Sequence, residues 1–393
     1  MKFRIVWRLL LPALLIGLTS CSSNNALLNS GAGLLYETAQ GNTTISAFTV
    51  DLGTGGLSAI DNSVGTGALP SAIAIAPTAN ALFVANSGSN SISSYAINSD
   101  GSLTEESATT PTGATPVALA MDSGGKFLFV ANQASSNVSV FTISGTALAA
   151  VAGSPFTTVP VGVKYPNGTL PSGVAVSGSG KFLYVTNQLT NFVSAFSISA
   201  SGALAPLGVP LYDVGNGPFG IAVSPNGGFL YVTNSGDPSN NISVFGICDS
   251  VTTSCANPNS PDGTLTQVTG SPFAAGLGPV AITFDPNFNF AYVVDKGSNT
   301  VSQYAYGTGT GALLPLSPPT ISTGLTPVSI ALRVGATGTN IGNTLTNPTD
   351  YVYVANNGAG TISVFTLTTT TGLLNVLGAP FTTFAQTSAV AVK

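Results

Sequence analysis

The chain has 393 residues, of which 9 are Lys or Arg, 14 are Asp or Glu and none is His, so 6% are charged and the formal net charge is −5. This balance speaks against a nucleic-acid-binding surface, and the absence of His removes the commonest general base and metal ligand. With 46 Gly, 25 Pro and 44% hydrophobic residues, the composition disfavours both long helices and disorder and favours many short strands joined by turns.

At the N-terminus, Lys2, Arg4 and Arg8 precede the apolar run Leu9 to Leu18, which is too short for an ordinary membrane span. The following Leu18-Thr19-Ser20-Cys21 resembles the bacterial lipoprotein box, in which the Cys is acylated and becomes the mature N-terminus. That resemblance implies a signal peptide over residues 1–20, a polar tether over 21–33 starting at lipidated Cys21, and a membrane partner held through the lipid. It implies an exported protein of the bacterial cell envelope, and Ser22 after the Cys implies an outer-membrane lipoprotein. An ordinary secretory signal cleaved nearby is the alternative. Beyond this segment the chain keeps a single arginine, Arg333.

Residues 34–393 are built from repeats, which is the strongest signal in the chain. The clearest copies are Leu82-Phe83-Val84-Ala85-Asn86, Leu128-Phe129-Val130-Ala131-Asn132, Leu183-Tyr184-Val185-Thr186-Asn187, Leu230-Tyr231-Val232-Thr233-Asn234 and Val352-Tyr353-Val354-Ala355-Asn356. Degenerate copies stand at Leu35 to Ala39 and Ala291 to Asp295. Each leads through a Gly-, Ser- and Asn-rich turn into a second alternating strand such as Val138-Ser139-Val140-Phe141, the period of a half-buried strand. Upstream, Pro70, Pro116, Pro171, Pro218, Pro279 and Pro327 each open an apolar run with small residues in its middle. These runs suit innermost strands, buried on both faces where blades crowd together. A seventh such run is missing before Tyr36 and appears instead as Ala389-Val390-Ala391-Val392. The displacement predicts an all-β fold, a seven-bladed β-propeller with circular closure, whose last blade takes three strands from the N-terminus and its inner strand from residues 387–393.

Tyr-Val-Thr-Asn at 184–187 and 231–234, with the Gly-Ser-Pro-Phe turns at 153–156 and 270–273, resembles the YVTN-repeat propellers. More broadly the chain is similar to the seven-bladed lactonase-like propellers, which include 6-phosphogluconolactonase and muconate-lactonising enzymes. The resemblance implies the fold and leaves the activity open, because the matching residues belong to strands and turns. The muconate-type members use His, Arg and Glu, so no catalytic residue carries over.

In such propellers the ligand face holds the loops entering the inner strands and the turns after the second strands. Asn86, Asn132, Asn187, Asn234, Asp295 and Asn356 are therefore expected near it, either capping their turns or forming a ring of oxygen ligands around a calcium-type cation. The residues otherwise call for no cofactor. Asp295 and Lys296 interrupt the Asn pattern and are the charged pair best placed on that face, as a functional pair or as an exposed ion pair of little weight. Glu37 stands where the other copies carry Val, and it is expected at a solvent-reaching end of an irregular blade, or else functional. Lys164 and Tyr165, in the long connection from Gly153 to Pro171, are candidates for a pocket wall. Cys248 and Cys255 read as a local disulfide, with zinc the lesser alternative.

Two function classes follow. One is a lipid-anchored binding module for a glycan, an envelope polymer or a protein partner. The other is a lactone hydrolase, whose base would have to be Asp295 or Glu37, or a metal-bound water. The catalytic reading of both carboxylates requires that they reach one pocket.

Overall fold

The computed structural model describes residues 33–106, 109–159, 167–250, 262–285, 289–333 and 350–393, and among these there is no helix. The strands form seven antiparallel sheets. We number the blades by inner strand: Pro70–Ile75, Pro116–Met121, Pro171–Val176, Pro218–Val223, Pro279–Phe284 and Pro327–Arg333 open blades 1 to 6, and Thr387–Val392 is the inner strand of blade 7. Blade 7 is completed by Gly33–Ala39, Thr44–Val50 and Leu57–Gly65. Leu35 pairs with Val392 and Glu37 with Val390, and Leu34 and Lys393 exchange both backbone hydrogen bonds, at 3.1 and 2.8 Å. The ring thus closes by pairing the two ends of the propeller segment, which removes the free sheet edge.

Each second strand is the most buried of its blade, since both its faces pack against neighbouring blades: Leu82, Phe83, Val84 and Ala85 are fully buried. Seven apolar clusters result, one at each seam between blades. The inner strands differ from expectation. Most are only half-buried, as in Ser71–Ile75 and Val117–Met121, because one side lines a central channel of about 270 Å³. Small side chains there keep the channel open rather than sealing it.

Five of the seams share a further tie. The hydroxyls of Tyr36, Tyr184, Tyr231, Tyr292 and Tyr353 donate to the carbonyls of Gly101, Gly263, Gly311, Gly372 and Gly55, each in the next blade, at 2.7–3.3 Å. In blades 1 and 2 the Tyr position holds Phe83 and Phe129. Residues 1–32, which include the expected signal and most of the expected tether with Cys21, lie outside the described residues, as do Cys255, Lys164, Tyr165 and the insertion from residue 334 to 349. Cys248 is disulfide-bonded.

Candidate functional site

The loops entering the inner strands and the turns after the second strands share one face, as expected, because each inner strand pairs antiparallel with the second strand: Pro70 faces Asn86, Pro218 faces Asn234 and Pro279 faces Asp295. Just before every inner strand the backbone takes a positive φ, at Leu69, Thr115, Leu170, Gly217, Gly278, Thr326 and Gln386, between 51 and 63°. For the five residues that are not glycine this conformation costs on the order of 1 kcal/mol each. The carbonyl of each of these seven residues accepts a hydrogen bond from the residue following the Asn position, namely Ser87, Gln133, Gln188, Ser235, Lys296, Asn357 and Gln40, at 2.8–3.0 Å. Strain is thus concentrated at one end of the channel, where it fixes the path of all seven entry loops.

The Asn residues singled out in the sequence do not line that mouth. Asn86, Asn132, Asn187, Asn234 and Asn356 are fully buried, and each donates from Nδ2 to the Ser on the adjacent strand of its own blade, Ser93, Ser139, Ser194, Ser243 or Ser363, at 2.9–3.0 Å. In four of these blades a glycine covers the amide from above: a Cβ on Gly67, Gly113, Gly215 or Gly324 would approach the Asn side chain to 2.7–2.8 Å. Glycine is required there by close approach. The amides therefore buttress the face from beneath.

Asp295 occupies the same slot in blade 5, fully buried under Gly276. Its carboxylate accepts from Ser302 Oγ at 2.6 Å, Thr300 Oγ1 at 3.2 Å and Gly276 N at 3.1 Å. Burial pushes its pKa up to about 6, against the lowering effect of these donors. Lys296 points into solvent, so the two are separated by the strand rather than paired across it.

Glu37 is not at a solvent-reaching end. It is 1% exposed, and neither carboxyl oxygen has a hydrogen-bond partner. Burial pushes its pKa up to about 8, only weakly opposed by the Thr383 hydroxyl. It belongs to blade 7, whereas Asp295 belongs to blade 5, two blades away, and neither lines the central channel. The two carboxylates are not brought together.

What the channel does present is neutral. Its wall is made of Ser71, Ser172, Ser329 and Ser388 among Ala, Ile, Val, Leu and Phe219. Three of these hydroxyls are used between blades, Ser71 Oγ donating to Pro116 O at 2.7 Å, Ser172 Oγ donating to Pro218 O at 2.8 Å and Ser329 Oγ accepting from Val390 N at 3.2 Å. Around the mouth, the residues after the Asn position supply amides and hydroxyls and, at Lys296, one ammonium: Gln133 Nε2 reaches Gln188 Oε1 at 3.4 Å across the seam of blades 2 and 3, and Asn357 Nδ2 donates to Thr387 O at 2.8 Å. Leu69, Leu189, Leu277 and Leu325, all 46–60% exposed, stand on the same face. The sequence reading missed this ring because its members vary from blade to blade. Their constant spacing, one residue beyond each Asn, was the available signal. Among the described residues no group of three or more His, Cys, Asp or Glu could hold a metal ion.

The seven-bladed β-propeller lactonase family model matches residues 56–163, 152–253 and 248–383, so that almost the whole described propeller is covered. The chain belongs to this family. Among solved structures, this lactonase-family propeller is similar to a provisionally assigned 6-phosphogluconolactonase of Bacteroides uniformis, with a TM-score of 0.73 and 19% identity over 92% of this chain and 100% of the other. It is similar to the periplasmic gluconolactonase of Pseudomonas aeruginosa, with a TM-score of 0.71 and 19% identity over 92% of this chain and 98% of the other. At such identity the likeness is one of fold. No curated protein sequence matches the chain.

Proposed function

We propose that this lactonase-family propeller is an exported, lipid-anchored binding module of the cell envelope that takes a neutral, hydroxyl-rich ligand, a glycan segment, at the mouth of its central channel. The observation that carries this reading is the composition of the mouth: amides and hydroxyls stand there beside exposed leucines, Lys296 is the one charged member of the ring, and the nearby Asp295 carboxylate is sealed under Gly276 with its oxygens engaged by Ser302, Thr300 and the Gly276 amide. Side-chain amides pair with sugar hydroxyls, and apolar side chains cover the C–H faces of the ring. Gly33 stands at the opposite end of its strand from Ala39, so the segment leading back to Cys21 joins the propeller at the end away from the mouth.

A second reading is supported by the family and by the gluconolactonase among the similar structures. A neutral lactone would fit the same mouth, but its ring opening needs a base and an oxyanion donor. The discriminating experiment offers purified residues 22–393 a panel of γ- and δ-lactones and envelope oligosaccharides. Oligosaccharide binding, weakened at least tenfold in the Gln133→Ala/Gln188→Ala variant and without lactone turnover, supports the module. Lactone turnover above the spontaneous rate, lost in Asp295→Asn or on chelation, overturns it in favour of the hydrolase.

A further inference from the structure

Blade 7 breaks the repeat at three places that meet at one spot. Ala39 stands where the other blades carry the buried Asn or Asp, Phe384 stands where Gly67, Gly113, Gly215, Gly276 and Gly324 cover that side chain, and Glu37 replaces Val. Ser46, the counterpart of the Ser that each Asn engages, pairs directly with Glu37 across the sheet, so the two side chains share a face. Thr383 corresponds to Thr66 of blade 1, whose hydroxyl donates to Asn86 Oδ1 at 2.8 Å. In blade 7 the Thr383 hydroxyl lies by the Glu37 carboxyl, yet both Glu37 oxygens and Thr383 Oγ1 are buried with no hydrogen bond made.

Immediately beside them is a cavity of about 420 Å³ on the rim between blades 6 and 7, to which both Ser46 and Thr383 contribute walls. The rest of its wall is mainly apolar and aromatic. Phe48 and Phe381 meet edge to face with ring centroids 5.3 Å apart, and Phe384 closes one side. This volume is far larger than an ion needs and falls in the range of small-molecule sites. Aromatic walls over a buried carboxyl suit a cation that carries an apolar body: the rings attract the positive charge and pack on the hydrocarbon, and the carboxylate neutralises the head group.

We propose that this rim cavity is a binding site for a small organic amine, taken as its ammonium ion, with Glu37 as the counter-ion. Rotation of the Thr383 side chain, whose hydroxyl is held by no partner, opens the carboxyl to the cavity. On binding, the Glu37 carboxylic acid gives its proton to solvent and the carboxylate accepts hydrogen bonds from the ammonium, so one proton is released per amine bound wherever the free site is protonated. The site is distinct from the channel mouth, and the inference does not depend on the ligand proposed there.

The test is calorimetric titration of residues 22–393 with benzylamine and with benzyl alcohol, its neutral counterpart, at pH 7 in two buffers of different ionisation enthalpy. Expected are binding of benzylamine with proton release, at least tenfold weaker binding of the alcohol, and at least tenfold loss of benzylamine affinity in Glu37→Gln. A second variant guards against misfolding of the first: Ala59→Trp fills the cavity from its exposed side without touching Glu37, and should also abolish binding while leaving the circular dichroism and thermal midpoint unchanged. Equal binding of amine and alcohol, unchanged amine affinity in either variant, or binding of K⁺ or Ca²⁺ in place of benzylamine would overturn the proposal.

Discussion

Blades 5 and 7 each hide one carboxylate where the other repeats carry a neutral residue, and the two have opposite fates. Asp295 replaces Asn with an isostere, keeps the same Ser at its side, and receives three hydrogen bonds. Glu37 replaces Val on a wall designed for apolar contact and receives none. Both are desolvated to a similar degree, so the gap between a pKa of about 6 and one of about 8 reflects the donors that the repeat had already placed at one position and not at the other. A position inherits the hydrogen-bonding capacity of its slot, and a charge is tolerated in proportion to it.

The largest effect expected from this contrast is at Glu37. Its folded pKa lies above the unfolded value, so the folded state holds the proton more tightly, and stability falls as pH rises from about 4.5 toward 8 before levelling. At about 1.4 kcal/mol per pKa unit the loss between pH 5 and 8 is on the order of 4 kcal/mol. Glu37→Val, which restores the residue of the other blades, should remove most of that slope and raise stability at pH 8. Urea unfolding followed by far-UV circular dichroism at both pH values measures this, since the only tryptophan, Trp7, lies ahead of the propeller segment. An unchanged slope in Glu37→Val would show that the side chain is hydrated in solution.

Asp295→Asn comes next. The same sign applies over a lower window, from about 4 to 6, and the repeat's own Asn–Ser hydrogen bond is ready to form, so the variant should gain about 2 kcal/mol at pH 7 and lose its pH dependence in that window. Ser302→Ala should cost about 1–2 kcal/mol and push the Asp295 pKa further up, because it deletes the shortest of the three bonds. Ser46→Ala, at the equivalent position in blade 7, should cost less than about 0.5 kcal/mol, because Ala39 supplies no amide to it. The smallest difference is expected where the two blades agree: Tyr36→Phe and Tyr292→Phe each strip one bond from a glycine carbonyl in the next blade and should cost a similar amount of about 1 kcal/mol.

Much of the architecture was legible because a propeller is written as a repeated unit. The period of the Asn-ended strands, the prolines that open the inner strands and the displaced Ala389 to Val392 together predicted seven blades and their closure. Besides the Asn side chains, which proved to be buried beneath the mouth, two local readings failed for instructive reasons. The inner strands were expected to be buried on both sides, whereas small residues read as crowding actually border an open channel. Glu37 was expected near solvent, because a single sequence shows the oddness of a residue without showing what covers it.

For this protein the sequence alone determined the fold and the family, since alternation and spacing fix which residues can share a sheet face, and those constraints act within each blade. Only the tertiary structure decided where the chemistry lies. Whether a carboxylate is sealed or open depends on residues distant in the chain, such as Gly276 over Asp295 and Thr383 and Phe384 around Glu37, brought near only when blades pack and the ring closes. The ring of residues beyond the Asn positions likewise becomes a surface only in the closed circle, where seven side chains of four kinds, Gln, Ser, Asn and Lys, converge on one channel mouth.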